Sequence, residues 1–192
     1  MLKTDETLRP RQRLVGLSGW ARSGKDEAAK ALVQAGWTRF AFADPLRRCA
    51  LAVNPYVPTD IYGDERFVRL ADLVEQLGWE EAKKNPEVRR ILIDLGTPGV
   101  RDCISDRGWI WAMETQIAGV ETPIVVTDCR FPNEASWVRF RGGIVVKLER
   151  EGTQALGVAD RAVNEIKPDF TILNCGSIET LHAAILSIVN NN

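Results

Sequence analysis

Seven residues, Gly19-Trp20-Ala21-Arg22-Ser23-Gly24-Lys25, follow the spacing G-x-x-x-x-G-K. Such a loop cradles phosphate when a strand precedes it and a helix follows. Its glycines let the backbone curl until successive N–H groups, from Gly19 through Ala21, Arg22, Ser23 and Gly24, face phosphate oxygens. The ammonium of Lys25 then reaches the β and γ phosphates of a nucleotide. Asp26 stands where these loops usually offer a Ser or Thr hydroxyl to Mg²⁺. A carboxylate suits the start of a helix but repels phosphate unless a cation intervenes. Asp26 therefore reads either as a Mg²⁺ holder, directly or through water, or as a plain charge at a helix N-terminus.

A second group of polar residues lies far along the chain. Asp128-Cys129-Arg130 follows the apolar run Ile124 to Thr127, and Glu134 comes six residues after Asp128. At the carboxyl end of a strand, an aspartate can orient an acceptor and an arginine can offset charge spreading over a transferred phosphoryl group. The competing reading is a surface ion pair capping the strand. Glu134 is expected in the first turn of the next helix, facing the same crevice. Arg89 and Arg90 lie opposite an apolar helical stripe and could grip a phosphate, although paired exposed arginines are commonly a solvated face. Gly96-Thr97 is expected at that helix's end, where a turn would aim backbone at a ligand. Trp109 and Trp111 read as core, with one aromatic face available to stack a base. His182 has no evident partner and reads as structural or surface.

The elements that must position these residues follow from hydrophobic periodicity. Leu14 to Ser18 and Arg39 to Ala43 read as strands, and Ile124 to Thr127, Ile144 to Leu148 and Phe170 to Leu173 supply three more that are β-branched and read as buried. Helical spacing appears after Lys25, in Phe67-Leu70-Ala71-Val74-Leu77, in Val88-Ile91-Leu92-Leu95, through Trp109 to Ile117, and in Ile178-Leu181-Ile185-Ile188 with Ser177 as N-cap. Alternating strands and helices predict a doubly wound α/β domain over residues 1–192 with five parallel strands. Residues 44–122 contain no convincing strand and are expected to form a helical insertion over the sheet edge where ligands bind.

Composition limits the alternatives. The chain has 192 residues, 45% hydrophobic and 27% charged, with 15 Gly and 9 Pro, which is ordinary for a folded domain and excludes collagen-like and disordered classes. A net charge of −1 supplies no field for holding a polyanion, so sequence-independent nucleic-acid binding is not expected. No apolar stretch approaches the roughly 20 residues of a membrane span. Met1 to Arg13 lacks the apolar centre of a signal peptide, so a cytoplasmic location is expected. Cys49, Cys103, Cys129 and Cys175 are scattered and there is one histidine, a set that builds neither a zinc site nor a disulfide framework.

Together the segments GLSGWARSGKDEAAKAL, FAFADPLR (Phe40 to Arg47), RRILIDLGT (Arg89 to Thr97) and VVTDCRFPNEA (Val125 to Ala135), followed by VVKLER, resemble the bacteriophage deoxynucleoside monophosphate kinases. The likeness runs from about Leu14 to Val189. It implies a three-layer P-loop kinase fold that moves the γ-phosphoryl group of ATP, with Mg²⁺, to a deoxynucleotide in the host cytoplasm, and family members are commonly dimeric. The aspartate after the lysine is then expected. By matching position, Gly19 to Asp26 form the donor site. Arg89, Arg90, Gly96, Thr97, Trp109, Asp128, Arg130 and Glu134 form the acceptor site, bordered by Ala43 and Asp44, and Arg150 belongs to the adenine or phosphate side. Ile93 or Asp94 stands where some relatives carry a glutamine, and Asp160 to Glu165 where others carry a histidine-and-glutamate segment. Closure of the insertion over the acceptor would keep water from competing for the phosphoryl group. The same donor loop serves other acceptors, so a kinase of dephospho-coenzyme A, or a nucleotide-binding switch without catalysis, remains as an alternative.

Overall fold

The computed structural model describes residues 13–61, 63–64, 66–153 and 161–192. The chain divides into two compact units, one formed by the chain up to Ala41 and from Ile117 onward, the other by Phe42–Gln116.

The first unit is built on five strands: β1 (Leu14–Ser18), β2 (Thr38–Phe40), β5 (Ile124–Val126), β6 (Ile144–Glu149) and β7 (Phe170–Leu173). They lie in the order β2-β5-β1-β6-β7, every pairing parallel. A parallel sheet needs both faces covered, and the inner strands β1 and β5 are buried along their whole length. In β1 the side chains alternate as the pleat requires. Val15 and Leu17 pack with Ala28 and Leu32 of α1 (Lys25–Gln34) and with Leu181, Ile185 and Val189 of α7 (Ile178–Asn190). Gly16 points the other way, where a Cβ would sit 3.1 Å from Val138 in α6 (Pro132–Phe140). Helix, sheet and helix make three layers, and all five expected strands are present. The expected strand Arg39 to Ala43 ends sooner, because Ala43 already opens helix α2. Register places Gly16 beside Val126, so the segments leaving β1 and β5 depart from neighbouring points on one sheet edge.

The second unit runs α2 (Ala43–Val53), β3 (Tyr56–Thr59), β4 (Arg66–Arg69), α3 (Leu70–Ala82), α4 (Pro86–Asp94) and most of α5 (Gly108–Ile117). The antiparallel hairpin of β3 and β4 corrects the expectation that residues 44–122 hold no strand. Each strand is four residues long, too short for a period to declare itself, and Pro58 stands inside one of them. Phe67, assigned by spacing to a helical stripe, lies in β4 on the same hairpin face as Tyr56, and both are exposed. The opposite face turns Val57 and Val68 toward Leu70, Leu73, Ala82 and Val88, the small core of this unit. Asn85 caps α4, its Oδ1 accepting the N–H groups of Glu87 at 2.9 Å and Val88 at 3.3 Å, with Pro86 at the first helical position. The chain does not turn at Gly96-Thr97 as expected. It continues through a π-helical stretch, Leu95–Asp102, that contains Pro98.

Among the described residues no helix is long and apolar enough to cross a membrane.

Candidate functional site

Between β1 and α1 the backbone curls as the motif requires. Gly19 (φ 134°), Arg22 (φ 66°) and Gly24 (φ 104°) all adopt left-handed conformations. A Cβ at Gly19 would lie 2.4 Å from the Leu148 carbonyl oxygen and 2.8 Å from Ser23 Oγ, so only glycine fits. Lys25 is 8% exposed, and its Nζ donates to the carbonyl oxygens of Gly19 at 2.8 Å and Trp20 at 2.6 Å, drawing the loop's two ends together. Asp26 follows in the first turn of α1 with its carboxylate exposed.

Ser18 Oγ, Trp20 Nε1 and Ser23 Oγ are buried polar atoms with no hydrogen-bond partner among the described residues. An unmet buried polar group costs about 1–3 kcal/mol, and groups of this kind concentrate where a ligand or ion completes the bonding. All three lie within six consecutive residues at the loop.

The chain leaving β5 is pinned to its neighbours. The Thr127 N–H donates to Phe40 O and the Cys129 N–H to Leu17 O, each at 3.0 Å, which sets Asp128, between them, at the sheet edge. Glu134 is in the first turn of α6, as expected, but it is buried, and its Oε2 accepts the N–H groups of Arg130 at 2.8 Å and Phe131 at 3.1 Å. Its carboxylate thus shapes the turn that carries Asp128 and Arg130. Burial, followed by the negative charges of Glu134 and Asp128, pushes the Cys129 thiol well above its ordinary range and keeps it protonated.

On the β6 and β7 side, a cavity of about 520 Å³ is lined by Trp20, Leu148, Arg150, Leu173, Asn174 and Cys175. It contains Arg150, expected on the adenine or phosphate side. Asn174 was missed by sequence reasoning, though it carries a signal. It is a polar residue directly after β7, and it lines this cavity beside Trp20 of the phosphate-loop motif. His182 also has a partner that its sequence neighbourhood does not reveal, with Nε2 3.2 Å from Glu27 Oε1 of α1.

In the second unit, Ala43 and Asp44 open α2. The adjacent arginines of α4 behave differently. Arg90 donates to Glu87 through Nε (2.9 Å) and Nη2 (2.6 Å) and to Asp94 through Nη1 (2.6 Å). The guanidinium of Arg90 lowers the Glu87 carboxyl below its usual value. Arg89 is exposed and forms no salt bridge among the described residues. Trp109 is buried and its Nε1 donates to Gly96 O at 2.9 Å, tying the start of α5 to the π-helical stretch beside Thr97. Trp111, expected in the core, is half exposed, a correction that follows from its position two residues along the helix from Trp109. Of the segment Asp160 to Glu165, Asp160 lies outside the described residues, and Val163–Glu165 forms a short 3₁₀ turn.

No family model matches the chain. A protein of Acanthamoeba polyphaga mimivirus that bears the name "Putative deoxynucleotide monophosphate kinase" is 27% identical over 189 residues, covering 93% of this chain and 96% of that protein. Among solved structures, TT1252 from Thermus thermophilus shares the fold with a TM-score of 0.52 at 13% identity, covering 95% of this chain and 98% of that one. A gluconokinase from Sinorhizobium meliloti 1021 does so with a TM-score of 0.50 at 12% identity, covering 95% and 94%. Five parallel strands with a phosphate loop between the central strand and its helix are the P-loop kinase fold.

Proposed function

We propose that the chain is an ATP-dependent phosphotransferase, a deoxynucleoside monophosphate kinase, which moves the γ-phosphoryl group of ATP to a deoxynucleoside 5′-monophosphate and yields the diphosphate and ADP. The observation that carries this choice of acceptor is the mimivirus relative, whose alignment runs nearly end to end in both chains.

In this reading the loop from Gly19 to Lys25 takes the donor phosphates, and Arg150, lining the 520 Å³ cavity, takes the adenosine side. The acceptor roles fall to Asp128 and Arg130 at the sheet edge. In the second unit they fall to Arg89, with Asp44, Thr97 and Trp109 as further contacts. The nucleophile is a phosphate oxygen of the acceptor, whose second ionisation near pH 6 leaves it largely deprotonated at pH 7, so the protein supplies no strong base. Its work is positioning and charge stabilisation. The transferred group passes through a loose transition state with charge on its equatorial oxygens, which Lys25 and the arginines offset.

The residues present suit Mg²⁺. Asp26 offers a hard carboxylate oxygen in the first turn of α1, and the Ser18 and Ser23 hydroxyls are unmet oxygen donors nearby in the chain. Among the described residues no three His, Cys, Asp or Glu side chains converge, so an ion here would rely on phosphate and water besides Asp26, as Mg²⁺ commonly does. Bound there, it would neutralise charge on the β and γ phosphates. Asp26→Asn is then expected to raise the Mg²⁺ concentration needed for half-maximal rate, and an unchanged requirement removes Asp26 from the metal site.

The test is ADP production by the purified protein with ATP and Mg²⁺, offering dAMP, dCMP, dGMP, dTMP, the ribonucleotides and dephospho-coenzyme A separately. Turnover with one or more deoxynucleotides, weak with ribonucleotides, is expected. Turnover with dephospho-coenzyme A alone overturns the acceptor assignment while leaving the donor site intact.

A further inference from the structure

We propose that Asn174 is a positioning residue that latches the phosphate loop in its binding conformation, an inference that rests on the donor-site reading above. Asn174 follows β7, and its backbone N–H donates to Glu149 O at 2.7 Å, continuing the β6–β7 ladder one step beyond the strand. With its backbone held by the sheet, its side chain reaches the loop, where Nδ2 donates to the Ser23 carbonyl oxygen at 3.0 Å.

The consequence comes from the geometry of one peptide unit. The Ser23–Gly24 bond is trans, so its C=O and N–H point in opposite directions and rotate together. Holding the Ser23 carbonyl toward Asn174 therefore turns the Gly24 N–H away from Asn174. Glycine at φ 104° can exchange between left- and right-handed regions with little steric penalty, so this peptide needs an external constraint to keep one orientation. Gly24 is also the N-cap of α1 and, having no side chain, offers the helix no side-chain cap of its own.

The fit is close on both sides. A Cβ at Gly24 would lie 2.4 Å from Asn174 Nδ2 and 3.3 Å from Leu181 Cδ2. The absence of a side chain at Gly24 thus admits the Asn174 amide as well as permitting the turn. The same Asn174 lines the 520 Å³ cavity, so one residue touches both the loop backbone and the nucleoside side of the donor site.

A latch on the loop and a contact to the nucleoside make different predictions, and inorganic tripolyphosphate separates them because it carries the phosphates alone. Binding of ATP and of tripolyphosphate is measured by calorimetry in the wild type, Asn174→Ala and Asn174→Asp, with melting temperature and the steady-state KM of each substrate. For Asn174→Ala, both affinities are expected to fall by a similar factor, about fivefold for the loss of one neutral hydrogen bond. The acceptor KM should be unchanged. Asn174→Asp keeps the side-chain shape but sets an anionic oxygen against the Ser23 carbonyl, and should weaken both ligands further; it also serves if the alanine variant does not fold. A loss confined to ATP makes Asn174 a nucleoside contact and overturns the latch, as does unchanged binding of both ligands. A wild type that binds neither ligand overturns the donor-site reading and the latch with it.

Discussion

The sheet unit and the helical unit hold their functional groups by different means. In the sheet unit, backbone groups fixed by strand pairing orient the site. Lys25 is held by two loop carbonyls, Asp128 sits between two backbone bonds to neighbouring strands, and Glu134 caps the turn that follows. In the helical unit, charges pair with each other along exposed helix faces, as in Glu80–Lys83, Glu81–Lys84 and Glu87–Arg90. The cores differ in step. Among the described residues the sheet core holds fourteen buried residues, drawn mainly from four strands and the helices packed on them, whereas the core of the other unit holds six. A rigid scaffold suits chemistry that tolerates little displacement, and a thinner core suits a surface that adapts to its ligand.

The largest expected effect breaks the sheet unit's half of this contrast. Lys25→Ala removes the ammonium that bridges the loop and that we propose faces the donor phosphates, and should lower turnover at least about a hundredfold while the fold is retained. Circular dichroism and a coupled ADP assay check it, and near-normal turnover in the folded variant removes Lys25 from the donor site. The contrast in rigidity is read by amide exchange. Protection in β1, β5 and β6 should exceed that in α3 and α4 by about two orders of magnitude, and equal protection would show that the two cores are equally stable.

Glu134 sharpens the comparison at a single residue. Its carboxylate is buried and accepts two backbone N–H groups, so Glu134→Ala leaves both donors unmet and should cost about 2–3 kcal/mol by denaturant unfolding. Glu134→Gln keeps an accepting oxygen and should cost less, about 1 kcal/mol. A substrate contact with no structural part would give the reverse pattern, with activity lost and stability kept.

What could be read from the sequence followed the same division. The five strands, the phosphate loop and the segment around Asp128 are local patterns, each with a period or spacing that its own residues declare, and the structure places them on one sheet edge. The hairpin of β3 and β4 was hidden because four-residue strands show no period and Phe67 happens to fall in step with the apolar positions of α3. The orientation of Glu134 was hidden because an acidic residue in the first helical turn suits a capping box as well as a ligand. Asn174 was hidden because its partner, Ser23, is 151 residues away, and nothing in either neighbourhood announces the pairing. The continuation past Asp94 was hidden because Gly96 reads as a helix stop unless the bond from Trp109 to its carbonyl is known.

Arg89 and Arg90 bring the comparison down to adjacent residues on one helix, where sequence gave them equal standing. Arg90 is engaged by Glu87 and Asp94, and releasing it would sacrifice exposed ion pairs that typically contribute well under 1 kcal/mol each. Arg89 carries no such engagement among the described residues, so its guanidinium meets an anion without first leaving another. Arg89→Ala should therefore raise the acceptor KM about tenfold, and Arg89→Lys should recover only part of it because an ammonium lacks the planar bidentate fork. Arg90→Ala should change the same constant less than about twofold and lower stability by a few tenths of a kcal/mol. Equal effects from the two alanine variants would mean that the pair acts together, with the carboxylates of Glu87 and Asp94 serving to aim Arg90 rather than to neutralise it.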